Sequence, residues 1–115
     1  MKPVSKPLYI KRNSDFLFAY RRGKSFVSPY LVTYMVKNRG GQTRVGITAS
    51  KKIGNAVTRN RSKRIIRAAF AHLPYEIESG YNIIFVARTK TSQVKMDKVL
   101  SAMTEHLSCI SKENI

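Results

Sequence analysis

The chain has 115 residues and a mass of 13.1 kDa, the size of one domain, so residues 1–115 are expected to form a single folded unit. At 43% hydrophobic and 10% aromatic it can build a core, which argues against disorder and makes disulfides or structural zinc unnecessary. Its 22 Lys and Arg against 6 Asp and Glu give a net charge of +16, which predicts a polyanionic partner: nucleic acid or an anionic membrane surface.

The N-terminal stretch MKPVSKPLYIKRN carries charge but no continuous apolar run, so no secretory signal is expected, and the first ten residues and the last few are the only linker-like pieces. Asn13 or Ser14 can cap a helix that runs to Arg22 and ends at Gly23, with Phe16, Ala19 and Tyr20 on one face. Residues 30–36 (YLVTYMV) predict a strand with Tyr30, Val32, Tyr34 and Val36 on one side and Leu31, Thr33 and Met35 on the other. Arg39-Gly40-Gly41-Gln42 reads as a hairpin loop leading to a second strand over residues 44–50, with Val45, Ile47 and Ala49 inward. A helix is predicted from about 55–58 to Leu73, stopped by Pro74. Residues 82–87 (NIIFVA) form a continuous apolar strand, which implies burial on both faces. Met96, Val99, Leu100, Met103 and Leu107 then follow helical spacing to the end. The order is mixed α and β: one sheet of three or four strands packed with helices.

The longest apolar run, Ile83 to Ala87, is far short of the roughly 20 residues of a membrane span. A single cysteine, Cys109, falls in the apolar-periodic C-terminal stretch, where a buried reduced thiol is expected and a cytoplasmic location with it. His72 and His106 stand far apart with no Cys or acid at ligand spacing, so no metal site on the protein is expected.

The charge is unevenly placed. No acidic residue lies between Asp15 and Glu76, although that interval holds more than half of the Lys and Arg. Surfaces that are merely solvated mix their signs. The interval includes SKKIGNAVTRNRSKRIIRAAF, residues 50–70. Its Ile66, Ala69, Phe70 and Leu73 form a core-facing helical stripe, while Asn60, Lys63, Arg64 and Arg67 fall on another sector flanked by Arg59 and Arg61. A solvated helix would carry Glu four residues from its lysines, and this one has none. Phosphates would supply the missing counter-charge. Lys51, Lys52, Gly54 and Asn55 precede the helix, where free N–H groups and a glycine suit a backbone phosphate. The nucleotide-binding pattern G-x-x-x-x-G-K-[ST] is absent, so this is not an ATP loop.

Catalysis of RNA cleavage by the chain itself would need clustered carboxylates or a positioned His or Glu. Asp15 is the only acid in the first 75 residues and reads as a first-turn helix charge, so the chain is a binder. Phe16, Tyr20, Tyr30 and Tyr34, rimmed by Lys11, Arg12 and Arg88, could line a groove for single-stranded RNA or could simply be core.

The stretch RVGITASKKIGNAVTRNRSKRIIRAAF closely resembles the signature of the bacterial ribonuclease P protein component, with its Arg59-Asn60-Arg61 helix. The likeness runs from Asn13-Ser14-Asp15-Phe16 through Phe85-Val86-Ala87-Arg88. It implies a two-layer α/β (α+β) sandwich of the ribosomal protein S5 domain 2-like kind, with a central mixed sheet of about four strands. It further implies a left-handed βαβ crossover, against the usual handedness. The implied role is the protein subunit of a ribonucleoprotein that removes the 5′ leader from precursor tRNA, with catalysis in the RNA subunit. Mg²⁺ would be held mainly by that RNA and by substrate phosphates, and no protein partner or membrane would be required. By the same resemblance Lys51, Lys52, Asn55, Arg59, Asn60, Arg61, Lys63, Arg64 and Arg67 would contact the RNA subunit, and Phe16, Tyr20, Val32, Tyr34 and Arg88 the leader. A structural ribosomal-type RNA-binding protein is the alternative; it would show similar charge but confer no cleavage on a partner. A DNA-binding protein would usually show an apolar dimer seam, and a membrane-surface protein a long amphipathic helix with exposed Trp or Phe.

Overall fold

The computed structural model describes residues 8–112. Along the chain run β1 (Leu8–Tyr9), α1 (Asn13–Arg22), β2 (Lys24–Val27), β3 (Leu31–Lys37) and β4 (Arg44–Thr48). They are followed by α2 (Ala56–Ala71), β5 (Tyr81–Ala87) and α3 (Met96–His106). The strands form one mixed sheet in the order β1-β4-β5-β3-β2.

β5 takes the centre because it is apolar on both faces. Ile83 and Phe85 point to one side and Ile84 to the other, and all three are fully buried. It pairs antiparallel with β3 and parallel with β4, so α2 is the crossover between two adjacent parallel strands. The expected β3–β4 hairpin is therefore absent. Residues 38–43 turn the chain, but β5 inserts between the two strands, since only the central position covers both of its apolar faces. The sheet has five strands rather than about four. β1 and β2 hold two and four residues, too short to show alternation, and β1 lies in the stretch read as linker. Leu8–Tyr9 pairs in parallel with Arg44–Val45, and Ile10 beside it is buried.

The main core lies between one sheet face and the α2–α3 layer. Leu31, Met35, Val45, Ile83 and Phe85 meet Ile66, Ala69, Phe70, Val99 and Met103 there. This is the two-layer α/β body, and α1 lies across part of the opposite face, its Ala19 buried in a cluster with Ile10 and Ile84. Thr33, buried on β3, shares a 2.8 Å hydrogen bond with His106 Nδ1, and the imidazole stacks on Phe26 at 5.7 Å. Buried Thr91 donates to Tyr30 O (2.7 Å) and accepts from Arg88 N (2.8 Å), tying the end of β5 to the β2–β3 turn. Cys109 is exposed rather than buried: the chain leaves the helical period after His106 in a short 3₁₀ turn over Ser108–Ile110. No helix among the described residues is long and apolar enough to cross a membrane.

Candidate nucleic-acid interface

Asn55 starts α2 as its N-cap, its side-chain oxygen accepting from Thr58 N at 2.9 Å. Immediately before it, Lys51–Ile53 make a 3₁₀ turn, and Ser50 Oγ accepts from Lys52 N. Gly54 joins the two at φ 146°, and a Cβ there would lie 3.0 Å from the Thr58 side chain, so glycine is required. The turn presents Lys51, Lys52 and Asn55 as exposed side chains at the positive end of a 16-residue helix.

Ser62, Ile66, Ala69 and Phe70 are the buried stripe of α2. Asn60, Arg61, Arg64 and Arg67 are exposed on its outer side, and Lys63 is half-buried. Arg59 behaves differently from the rest. It lies three residues before Ser62 on the inward stripe, is half-buried, and its guanidinium donates to Gly54 O at 3.0 Å. It therefore braces the turn that displays Lys51 and Lys52. The helix has no acidic residue, and among the described residues the one ion pair is Lys112–Glu76 at 3.7 Å. The outer α2 sector is thus an uncompensated cationic strip, suited to a phosphate backbone.

Strand register divides the opposite sheet face into rows, because cross-strand partners share a face. Gly46, Ile84, Tyr34 and Ser25 form the middle row, and α1 lies along it. Phe16 sits directly over Gly46, where a Cβ would be 2.7 Å from its ring. Tyr20 meets Tyr34 edge-on at 5.0 Å and Phe16 at 6.4 Å. The next row, Thr48, Val86, Val32 and Val27, is left partly open beside α1, and Val27 is 65% exposed. Arg88 lies beyond the end of β5 and donates to Ser28 O at 3.0 Å. The structure thus brings Phe16, Tyr20, Val32 and Tyr34 to one groove with a cation at its mouth. Phe16 and Tyr34 are at once core and groove wall, each half-buried.

Three placements differ from the sequence reading. Tyr30 precedes β3 and packs against the main core, so it is not part of the groove. Lys11 and Arg12 do not share a rim with Arg88. They line a separate depression with Asp15, Asn38, Arg39, Arg44 and Asn82, about 20 Å away by the rise of β5. Finally, Thr48, Val86 and Val27 join the groove through register with Val32, a relation between strands that no single stretch of sequence displays.

The arrangement offers a cationic strip on α2 and an aromatic and aliphatic groove on the far sheet face. Comparison with known proteins shows the family. The family model "Ribonuclease P" matches residues 4–111. The chain is 46% identical over 83 residues to the ribonuclease P protein component of Clostridioides difficile (strain 630), covering 71% of this chain and 73% of that one. Its fold is similar to the ribonuclease P protein of Staphylococcus aureus, with TM-score 0.74, 34% identity, and coverage of 90% and 94%. It is likewise similar to that of Thermotoga maritima, with TM-score 0.76, 30% identity, and coverage of 90% and 97%.

Proposed function

The chain belongs to the bacterial ribonuclease P protein family, and from that premise we propose which of its surfaces meets which RNA. As a protein subunit of this tRNA-processing endoribonuclease, it works with the ribonuclease P RNA on precursor tRNA. Our reading assigns the α2 strip and its preceding turn (Lys51, Lys52, Asn55, Asn60, Arg61, Lys63, Arg64 and Arg67) to the RNA subunit, with Arg59 as the brace. The groove of Phe16, Tyr20, Val32 and Tyr34, with Arg88 at its mouth, takes the single-stranded 5′ leader. We take residues 1–115 as one domain and the cytoplasm as its location.

One observation carries this reading: the α2 strip lies on the helix layer over one face of the sheet, and the groove lies on the opposite face of the same sheet. A subunit so built can hold catalytic RNA with one face and substrate leader with the other. It then contributes positioning, converting part of a two-body encounter into a pre-aligned one. Mature tRNA lacks the leader, so the groove raises affinity for substrate over product. Among the described residues no three His, Cys, Asp or Glu gather, so these side chains do not fit a Mg²⁺ cage. We place Mg²⁺ on the phosphates of the RNA subunit and substrate.

The test is cleavage of precursor tRNA by a bacterial ribonuclease P RNA at low Mg²⁺, with and without this chain. Stimulation is expected, and Arg61→Ala with Arg64→Ala should weaken assembly. Tyr20→Ala should leave assembly intact and lower holoenzyme affinity for precursor, but not mature, tRNA by about tenfold, the loss of one stacked base. Binding of the RNA without any change in cleavage across the Mg²⁺ range would overturn the assignment.

A further inference from the structure

α1 turns one side to the sheet and leaves an outer side that belongs to neither the groove nor the α2 strip. Fully buried Ala19 marks the inward direction, and Phe16 packs beside it. Asp15, the one acid of the helix, lines the depression on one flank. Five residues on, about 140° around the helix, Tyr20 stands on the other flank, that of the groove, edge-on to Tyr34. Leu17 and Phe18 fall on the outer side, 47% and 51% exposed, and Arg21 and Arg22 are exposed one turn further on. A single exposed apolar residue is ordinary. Here Leu17 lies three residues from Tyr20, so the apolar wall of the groove continues over the crest of the helix and ends among cations.

Charge decides what covers this crest. A second copy would set its own Arg21 and Arg22 against these, on chains of net charge +16, so self-association is opposed. A nucleotide suits the crest: its base stacks on Phe18 and its phosphate meets the arginines. Length points to the leader. The open row of the groove crosses four strands from Thr48 to Val27, about 14 Å at the usual strand spacing, or roughly four stacked nucleotides. α1 runs the same way, with Phe16 over β4 and Tyr20 over β3, so Arg21 and Arg22 stand toward the Val27 end. A longer leader leaves the groove there, beside the crest.

We infer that the crest of α1 (Leu17, Phe18, Arg21 and Arg22) is a second subsite for precursor tRNA, holding leader nucleotides upstream of those in the groove. The inference rests on the reading of the groove as the leader site. It makes affinity for substrate depend on leader length, beyond the few nucleotides that the groove itself accommodates.

The experiment reconstitutes the holoenzyme from the full chain and a bacterial ribonuclease P RNA. It measures binding of two precursor tRNAs, with leaders of about four and about twelve nucleotides. The wild type should bind the longer one about tenfold more tightly, the worth of one stacked base. Leu17→Ser with Phe18→Ser should abolish that gain while leaving short-leader affinity and assembly unchanged. Arg21→Gln with Arg22→Gln should reduce the gain and flatten its dependence on salt. Phe18→Tyr keeps the ring and should keep the gain, and unchanged urea midpoints would show that all three variants fold. Equal affinity of the wild type for both leaders, or a gain that survives the Leu17 and Phe18 pair, would overturn the subsite. Weakened assembly in that pair would overturn the choice of occupant in favour of the RNA subunit. A doubling of the free chain's mass that the same pair abolishes would overturn it in favour of a second copy. Tyr20→Ala run alongside keeps the two readings apart: it should weaken binding of both leaders alike, and if it weakens neither, the groove assignment itself fails.

Discussion

Gly46 shows how narrowly the groove is built. The aromatic edge of Phe16 lies where a Cβ would be, 2.7 Å from two of its ring carbons, so the ring reaches the sheet only because residue 46 has no side chain. Gly46→Ala must push Phe16 outward or shift α1, and overpacking of this kind typically costs about 1–3 kcal/mol. Urea unfolding should show that loss, and the displaced ring should weaken leader binding in the same variant. Wild-type stability would mean that the ring moves freely and is no fixed wall. Arg59 and Arg61 make a different point. They are the same residue type two positions apart, yet one braces Gly54 O and the other faces solvent, because helical phase puts only Arg59 on the sheet side.

Among the elements, α2 follows its sequence pattern closely: Asn55 caps it, Ile66 and Phe70 are buried, and it ends at Ala71, just ahead of Pro74. α1 starts less conventionally, with Asn13 already helical and Arg12 as a cap that offers no side-chain bond. α3 is held at its end by His106, which bonds Thr33 and stacks on Phe26 from two strands. Burial lowers the imidazole's pKa below its ordinary 6.5, and the Glu105 charge offsets part of that drop. In the unfolded chain the ring takes up its proton near 6.5, whereas the folded state resists it until lower pH. Below 6.5 the unfolded state therefore binds more protons, and stability falls as pH drops toward the lowered folded value. The urea midpoint should fall between pH 7.5 and pH 5.5, by less in His106→Gln than in the wild type. Equal falls in both proteins would show that His106 does not couple α3 docking to pH.

For the whole molecule the dominant fact is a net charge of +16 with a single ion pair among the described residues. The described body measures 38 × 32 × 24 Å. At about 0.01 M salt the Debye length is roughly 30 Å, so nearly every cation feels every other; at 0.15 M it is about 8 Å and repulsion becomes local. The free protein should therefore gain stability as salt rises over this range, read as an increasing urea midpoint. A midpoint independent of salt would mean that the strip and the depression are not strained by their own charge. The RNA subunit acts in the same direction, since a ligand that binds only the folded state stabilises it by mass action.

Much of this protein was legible before any coordinates. The acid-free interval, the phase separation of Ile66 and Phe70 from Arg64 and Arg67, and the doubly apolar run 82–87 are local properties, fixed by periods of 3.6 and 2. They placed α2, the central strand and the cationic strip, and the motif around Arg59-Asn60-Arg61 pointed to the family. The tertiary structure decided what depends on non-local pairing. Insertion of β5 between β3 and β4 removed the hairpin and put Val32 in register with Val86, while β2–β3 pairing set Val27 beside Val32 and the strand order brought Arg39 and Arg44 to Lys11 and Arg12. Periodicity states which face a residue occupies. Only strand order and register, selected by where β5 can bury both faces, state what lies beside it.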